Sequence, residues 1–278
     1  MSLSVFLAVL FAAALHAGWN ALIKTGVSKL ASMLILTLVQ GGIGAAIAAA
    51  RPLPAAEVWP WLAASGLLHA AYKLFLSFAY EHGDLSRVYP IARGSAPLLV
   101  LAANPVVLAD RLAPMEIAGI IALGAGILMM SRGVFRFGES ARLIPFALAS
   151  AMATAGYSLV DGMGARVAGD AVTFVAWLFM LDAALFTPAA LAFRGTAILR
   201  AGLRDWGLGA LAAVASYGAY AIAVWAMTQA PIALVAGLRE TSILFAVLIG
   251  WLVFSERMDR GKAAAAALIM GGVVLTRL

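Results

Sequence analysis

The chain has 278 residues, of which 64% are hydrophobic and 12% charged, with a mean hydropathy of +1.00, a formal net charge of +6 and no cysteine. A soluble domain carries about a quarter charged residues, so this composition excludes a soluble enzyme or a nucleic-acid-binding module, and zero cysteines exclude disulfide and thiol–zinc chemistry. The pI near 10.0 reads as basic loops facing the cytoplasmic side of a membrane, with no nucleic-acid partner implied.

Apolar runs of about 20 residues, each enough to cross a bilayer as a helix, recur along the whole chain. Strand-type alternation is absent, so the expected fold is an all-α integral membrane protein. Ten spans are predicted. The first, 3–23, carries His16, Trp19 and Asn20 at i, i+3, i+4, which puts them on one face. Its "ALHAG" faintly resembles a signal-peptide cleavage site, but no Lys or Arg precedes it, and it reads as a retained first span. The second span, 30–50, with its "GGIG", reads as a packing helix. The third, 58–80, has His69, Tyr72, Lys73 and Tyr80 along one stripe. The fourth, 88–108, holds Tyr89 and Arg93 four apart, Asn104 further on, and Pro90 and Pro97 as flexing points, as is Pro231 before the ninth span.

The fifth span, 114–131, reads as packing. The sixth, 142–165, offers Thr154, Tyr157, Ser158 and Asp161 on one face, and its "GMG" reads as a close-packing device. The seventh, 171–193, offers Trp177 and Asp182 without a clear stripe. The eighth, 206–228, gives Ser216, Tyr217 and Tyr220, and the ninth, 232–254, gives Arg239 and Glu240. The tenth, 261–277, reads as packing. Twelve of the 19 Lys and Arg fall in the odd-numbered loops, and four in the even-numbered loops and C-terminal tail. The positive-inside rule then puts both termini outside. Lys73, Arg93 and Arg239 remain within spans.

An internal repeat links two of those cations. Trp59 set over Trp206 aligns "WPWLAASGLLHAAYKLFLSFAYEHG" with "WGLGALAAVASYGAYAIAVWAMTQA". One slipped residue later, "IARGSAPLLV" aligns with "GLRETSILFA", so Arg93 meets Arg239. "DRL" at 110–112 then meets "ERM" at 256–258, and Gly126 meets Gly272. The expected architecture is two inverted five-helix repeats, 1–137 and 138–278, around a central cavity near the membrane midplane.

The 5+5 pattern, "ADRLAPMEIAGIIALGAGILMM" and its echo "SERMDRGKAAAAALIMGGVVL" resemble the drug/metabolite transporter superfamily, and within it the ten-span EamA-type bacterial exporters. That resemblance implies a multi-pass protein of the bacterial inner membrane that exports small metabolites, with aromatic amino-acid exporters among the similar proteins. Related families carry sugar phosphates or nucleotide sugars, and others are drug pumps.

Ionisable groups inside a bilayer usually face a cavity or a partner. The candidate substrate-binding residues are therefore His16, Asn20, His69, Tyr72, Tyr89, Arg93, Tyr157, Ser158, Tyr217, Tyr220 and Arg239. Tyrosine rings offer stacking faces, and an arginine fork suits a carboxylate or phosphate. Asn20, Ser158 and the histidines could serve an ammonium or an amide, and the mixture points to a small amphipathic zwitterion, with amino acids as the leading class. Arg93 is expected either to meet the substrate's negative end or to pair with a carboxylate that holds span 4. No Walker-type loop is present, so a secondary transporter is expected, facilitative or weakly proton-linked and working as a monomer without cofactor or metal. The alternatives are a proton-coupled multidrug exporter or a sugar-phosphate or nucleotide-sugar exchanger. A membrane scaffold or intramembrane enzyme stands last, since no two of His16, His69 and His82 are four residues apart as a zinc site would ask.

Overall fold

The computed structural model describes residues 1–24, 29–82, 85–108, 110–130, 142–254 and 259–278, and among them every regular element is helical. The first group of helices is α1 (Leu3–Lys24), α2 (Lys29–Ala49), α3 (Trp59–His82), α4 (Leu85–Ala103) and α5 (Pro114–Met130). The second is α6 (Leu143–Ala168), α7 (Ala171–Arg194), α8 (Leu203–Gln229), α9 (Ile232–Arg239), α10 (Ser242–Phe254) and α11 (Arg260–Leu275). Each expected apolar run is helical, with ends within three residues of the expected ones.

Seven stretches among the described residues are long and apolar enough to cross a membrane. They lie in α1, α2, α4 with its π-helical end at Asn104–Leu108, α6, α7, α8, and α9 with α10. Of the others, α3 has 24 residues but carries His69, Tyr72 and Lys73 at its middle, which lowers its hydropathy. The remaining two, α5 and α11, have 17 and 16 residues, so each is about 25 Å long.

Where one unbroken ninth span was expected, the chain breaks into α9 and α10 around Glu240 and Thr241. The amides of Glu240 and Thr241 turn back to the Gly237 and Leu238 carbonyls, tightening the turn, and Thr241 Oγ1 donates to the Leu238 carbonyl at 2.7 Å. No proline causes it. Pro231 is the N-cap of α9, and α4 runs continuously through Pro90 and Pro97.

Helix partners form a reciprocal pattern. The helix α1 packs on α8 as α3 packs on α6, and α2 packs on α8 as α3 packs on α7. Two further pairs, α2 with α7 and α5 with α11, complete the main contacts. Small residues permit the last pair. A methyl group on Gly119 would lie 2.8 Å from the Gly272 carbonyl oxygen, and one on Gly272 would lie 2.8 Å from the Gly119 carbonyl oxygen. "GGIG" and "GMG" behave likewise, with Gly41 against Ala183 and Gly162 against Ile232.

One end of the bundle collects several polar ties. Arg277 donates to the Met1 carbonyl at 3.0 Å, so the two termini meet. Asp110 accepts from both guanidinium nitrogens of Arg166, at 2.9 and 3.1 Å, and from the Ile232 amide at 2.9 Å. Arg166 also donates to the Met227 and Ala230 carbonyls. Arg51 pairs with Asp170, the N-cap of α7, which follows Gly169 in left-handed backbone at φ 66. Burial alone would raise the Asp170 carboxyl, but donation from Thr173 and Val172 and the nearby Arg51 hold it below the usual carboxylate range.

Candidate functional site

A bilayer-spanning bundle has little reason to bury polar side chains except against one another or around a cavity. Both occur here. A cavity of about 60 Å³ lies between helices of the first group and α6 to α9, and at this volume it holds only a handful of water molecules. His16 and Trp19 of α1 face it, with Trp19 Nε1 donating to His16 Nδ1 at 3.3 Å. His69, Tyr72 and Lys73 of α3 face it, as do Arg93 of α4 and Arg239 of α9. Tyr157 stacks on the His69 ring with centroids 4.1 Å apart, and Tyr220 meets the same ring edge-on at 5.2 Å.

Seven of the expected residues thus come together around the cavity: His16, His69, Tyr72, Arg93, Tyr157, Tyr220 and Arg239. Three turn away from it. Asn20 Nδ2 donates to the His16 carbonyl at 2.8 Å, and Ser158 Oγ donates to the Thr154 carbonyl one turn back at 2.8 Å. Tyr217 is buried and packs on Phe179. The side chain of Tyr89 lies outside the described residues.

The structure adds residues that the sequence reading passed over. The second span was expected only to pack, yet Gln40 of α2 lines the cavity and donates to Ser216 Oγ at 3.1 Å. Thr37, one turn earlier, accepts from Lys73 Nζ at 2.7 Å. Phe179 of α7 completes the aromatic wall. A lone glutamine in an otherwise apolar span was the available signal for Gln40, whereas Phe179 looks like any core aromatic.

The intramembrane acids have specific partners. Glu240 Oε2 accepts from Arg93 Nε at 2.9 Å, joining the α9–α10 break to α4. Asp182 of α7 pairs with Lys73. Asp161 is fully buried, with its Oδ2 2.9 Å from His69 Nε2, and it accepts from the Tyr220 hydroxyl. The sequence left open whether Asp161 is solvated at a span end, and burial settles that. None of the three carboxylates lines the cavity.

Arg239 differs from the other cations. It is 8% exposed, and its guanidinium sits 5.0 Å from the centre of the Tyr220 ring. Among the described residues no carboxylate pairs with it and no acceptor takes its hydrogens. Its neighbour Glu240 reaches Arg93 instead. A guanidinium fork on a cavity wall, with an aromatic face beside it and no carboxylate hydrogen-bonded to it among the described residues, is a ready partner for an oxyanion.

Residues 142–278 match the EamA-like transporter family. That match, over the second half of the chain, supports a place in the drug/metabolite transporter superfamily. With the long apolar helices it makes this an integral multi-pass membrane protein and points to the transport of small solutes. A solved structure described only as "Crystal structure of protein" superimposes with a TM-score of 0.76 at 21% identity, over 99% of this chain and 96% of that one. At that identity the likeness concerns the fold alone. No curated protein matches the chain.

Proposed function

We propose that the chain is a secondary transporter that exports small amphipathic metabolites with a negatively charged end across the bacterial inner membrane. Amino acids, aromatic ones included, are the class that the sequence reading leads with, and they are the first to assay. The observation that carries this reading is Arg239: a buried cation on the wall of a cavity enclosed by helices from both halves, with no acceptor among the described residues. The aromatic wall around it suits an apolar body.

The mechanism is alternating access by rocking two inverted units, 1–137 and 138–278, over ten crossings with both termini outside, as a monomer. Contact between the termini supports an even number of crossings, since seven would leave them on opposite sides. Counting α3, α5 and α11 gives ten. The reciprocal partners, with α1 on α8 as α3 is on α6, fit a two-fold relation between the halves, and the family match begins at residue 142. The break beside Arg239 has the character of a discontinuous helix at a transport site. Coupling is facilitative or weakly proton-linked.

One alternative has a specific observation in its favour. Lys73 and Arg93 share the wall with Arg239, which suits a sugar phosphate, although each of the two already holds a carboxylate. A multidrug exporter needs an acid for its cation, and among the described residues none lines the cavity.

Purified protein in liposomes loaded with radiolabelled phenylalanine, threonine or methylviologen, with and without a pH gradient, tests the proposal. Flux of an amino acid without a gradient is the expected result. Movement of methylviologen alone, dependent on a proton gradient, would refute it.

A further inference from the structure

We infer that the cavity selects solutes carrying one net negative charge and no ammonium group, which for an aromatic body means an arylalkyl monocarboxylate in preference to the corresponding amino acid. This rests on the transporter reading and names the substrate class within it. The charges around the cavity carry the argument. Lys73, Arg93 and Arg239 line the wall, while the three intramembrane acids, Asp161, Asp182 and Glu240, are at most 3% exposed and stand behind it.

Each acid is engaged by wall residues: Glu240 by Arg93, Asp182 by Lys73, and Asp161 by His69 and Tyr220. A zwitterion placing its carboxylate on Arg239 must therefore set its ammonium among cations. The neutral wall partners left to it are aromatic faces, the His16 ring, the Tyr72 and Tyr157 hydroxyls, and Gln40 and Ser216, which are hydrogen-bonded to each other. Losing the ammonium's hydration without a carboxylate to receive it weakens binding. A carboxylate alone meets none of this cost, because the Arg239 fork presents parallel donors to both of its oxygens.

The local pairing sets the anion's valence. Lys73 and Arg93 are already matched by Asp182 and Glu240, and Arg239 is set apart from Asp161 by the Tyr220 ring. One oxyanion charge fits that vacancy. A dianion would bring its second charge up to cations already neutralised, or would have to break one of their pairs. Trp19, Tyr157, Phe179 and Tyr220 supply the surface for the apolar body. At about 60 Å³ the cavity has to widen for any aryl group, so the preference follows from charge, with size acting equally on all of the probes below.

Binding of four probes that share a phenyl ring decides the matter. They are 3-phenylpropionate, phenylalanine, phenethylamine and phenyl phosphate, titrated calorimetrically into the purified full-length protein in lipid nanodiscs at neutral pH. The expected order puts 3-phenylpropionate at least about tenfold tighter than phenylalanine, with phenyl phosphate weaker and phenethylamine unbound. Arg239→Gln should weaken 3-phenylpropionate by about 10- to 100-fold, with Arg239→Lys recovering part of the loss. Phenylalanine or phenyl phosphate binding as tightly as 3-phenylpropionate would overturn the inference, as would an Arg239→Gln protein that folds and binds normally. The probe order in the wild type needs no variant. Phenylalanine flux in liposomes without 3-phenylpropionate binding would sink this inference and leave the transporter reading standing. Exclusive flux of methylviologen would sink both.

Discussion

Replacing Arg93 by methionine asks whether this cation serves the solute or the scaffold. The guanidinium and Glu240 are buried together at 2.9 Å, with side-chain exposures of 3% and 4%. At an effective dielectric constant of about 20, unit charges at that separation attract by about 6 kcal/mol, and the desolvation of both groups offsets most of it. Removing one partner leaves a buried carboxylate at the α9–α10 break, a loss of about 3–5 kcal/mol in measured buried pairs. For a chain of this size that corresponds to a melting point lower by roughly 6–20 °C. Thermal unfolding of the purified protein in detergent, followed by tryptophan fluorescence, measures it. The double variant Arg93→Met/Glu240→Leu removes the stranded charge and should regain most of the loss. An Arg93→Met protein that melts with the wild type yet transports nothing would refute the structural assignment and return Arg93 to the solute.

Two further outcomes follow from other parts of the molecule. Gly272→Ala drives a methyl to 2.8 Å from the Gly119 carbonyl oxygen and 2.9 Å from the Leu123 amide, so α5 and α11 must part, and the melting point should fall by an amount matching about 1–3 kcal/mol of overpacking. Asp170 is held below its unfolded value of about 3.9, so its contribution is complete above about pH 4 and fades as pH falls through the folded-state value. Asp170→Asn should therefore melt slightly below the wild type at pH 7, with the gap narrowing as pH falls below about 4, and a gap that widens on acidification would contradict the sign.

The sequence carried the helices and most of the wall because a bilayer punishes stray polarity. In such a background a histidine, lysine or arginine stands out, and helical spacing places its neighbours. His69, Tyr72 and Lys73 were found in that way. Rotation about the helix axis was not legible to within one position. Ser158 shares a turn with Tyr157 but spends its hydroxyl on the Thr154 carbonyl, and Asn20 spends its amide on His16. Ion pairing was not legible either, because Glu240 could choose between Arg239 beside it and Arg93 on another helix, and only packing decides. The α9–α10 break has neither proline nor glycine at its turn. Its sequence trace is the pair of opposite charges at 239–240, whose burial in different directions the turn permits.

The polar ties at the terminal end differ in kind, and so in how readily water can part them. Arg51 and Asp170 are 40% and 41% exposed, so salt and water compete for that pair. Arg166, by contrast, grips Asp110 with two nitrogens and two backbone carbonyls besides, while Asp110 also caps the start of α9. Both ties run between the first five helices and the rest. If the two halves swing apart at this end, the Arg51 side yields first and the Arg166 side stays fastened. Under the proposed rocking, this end would open like a leaf on a pin, with the pin set at the corner where α8 turns into the broken helix that carries Arg239.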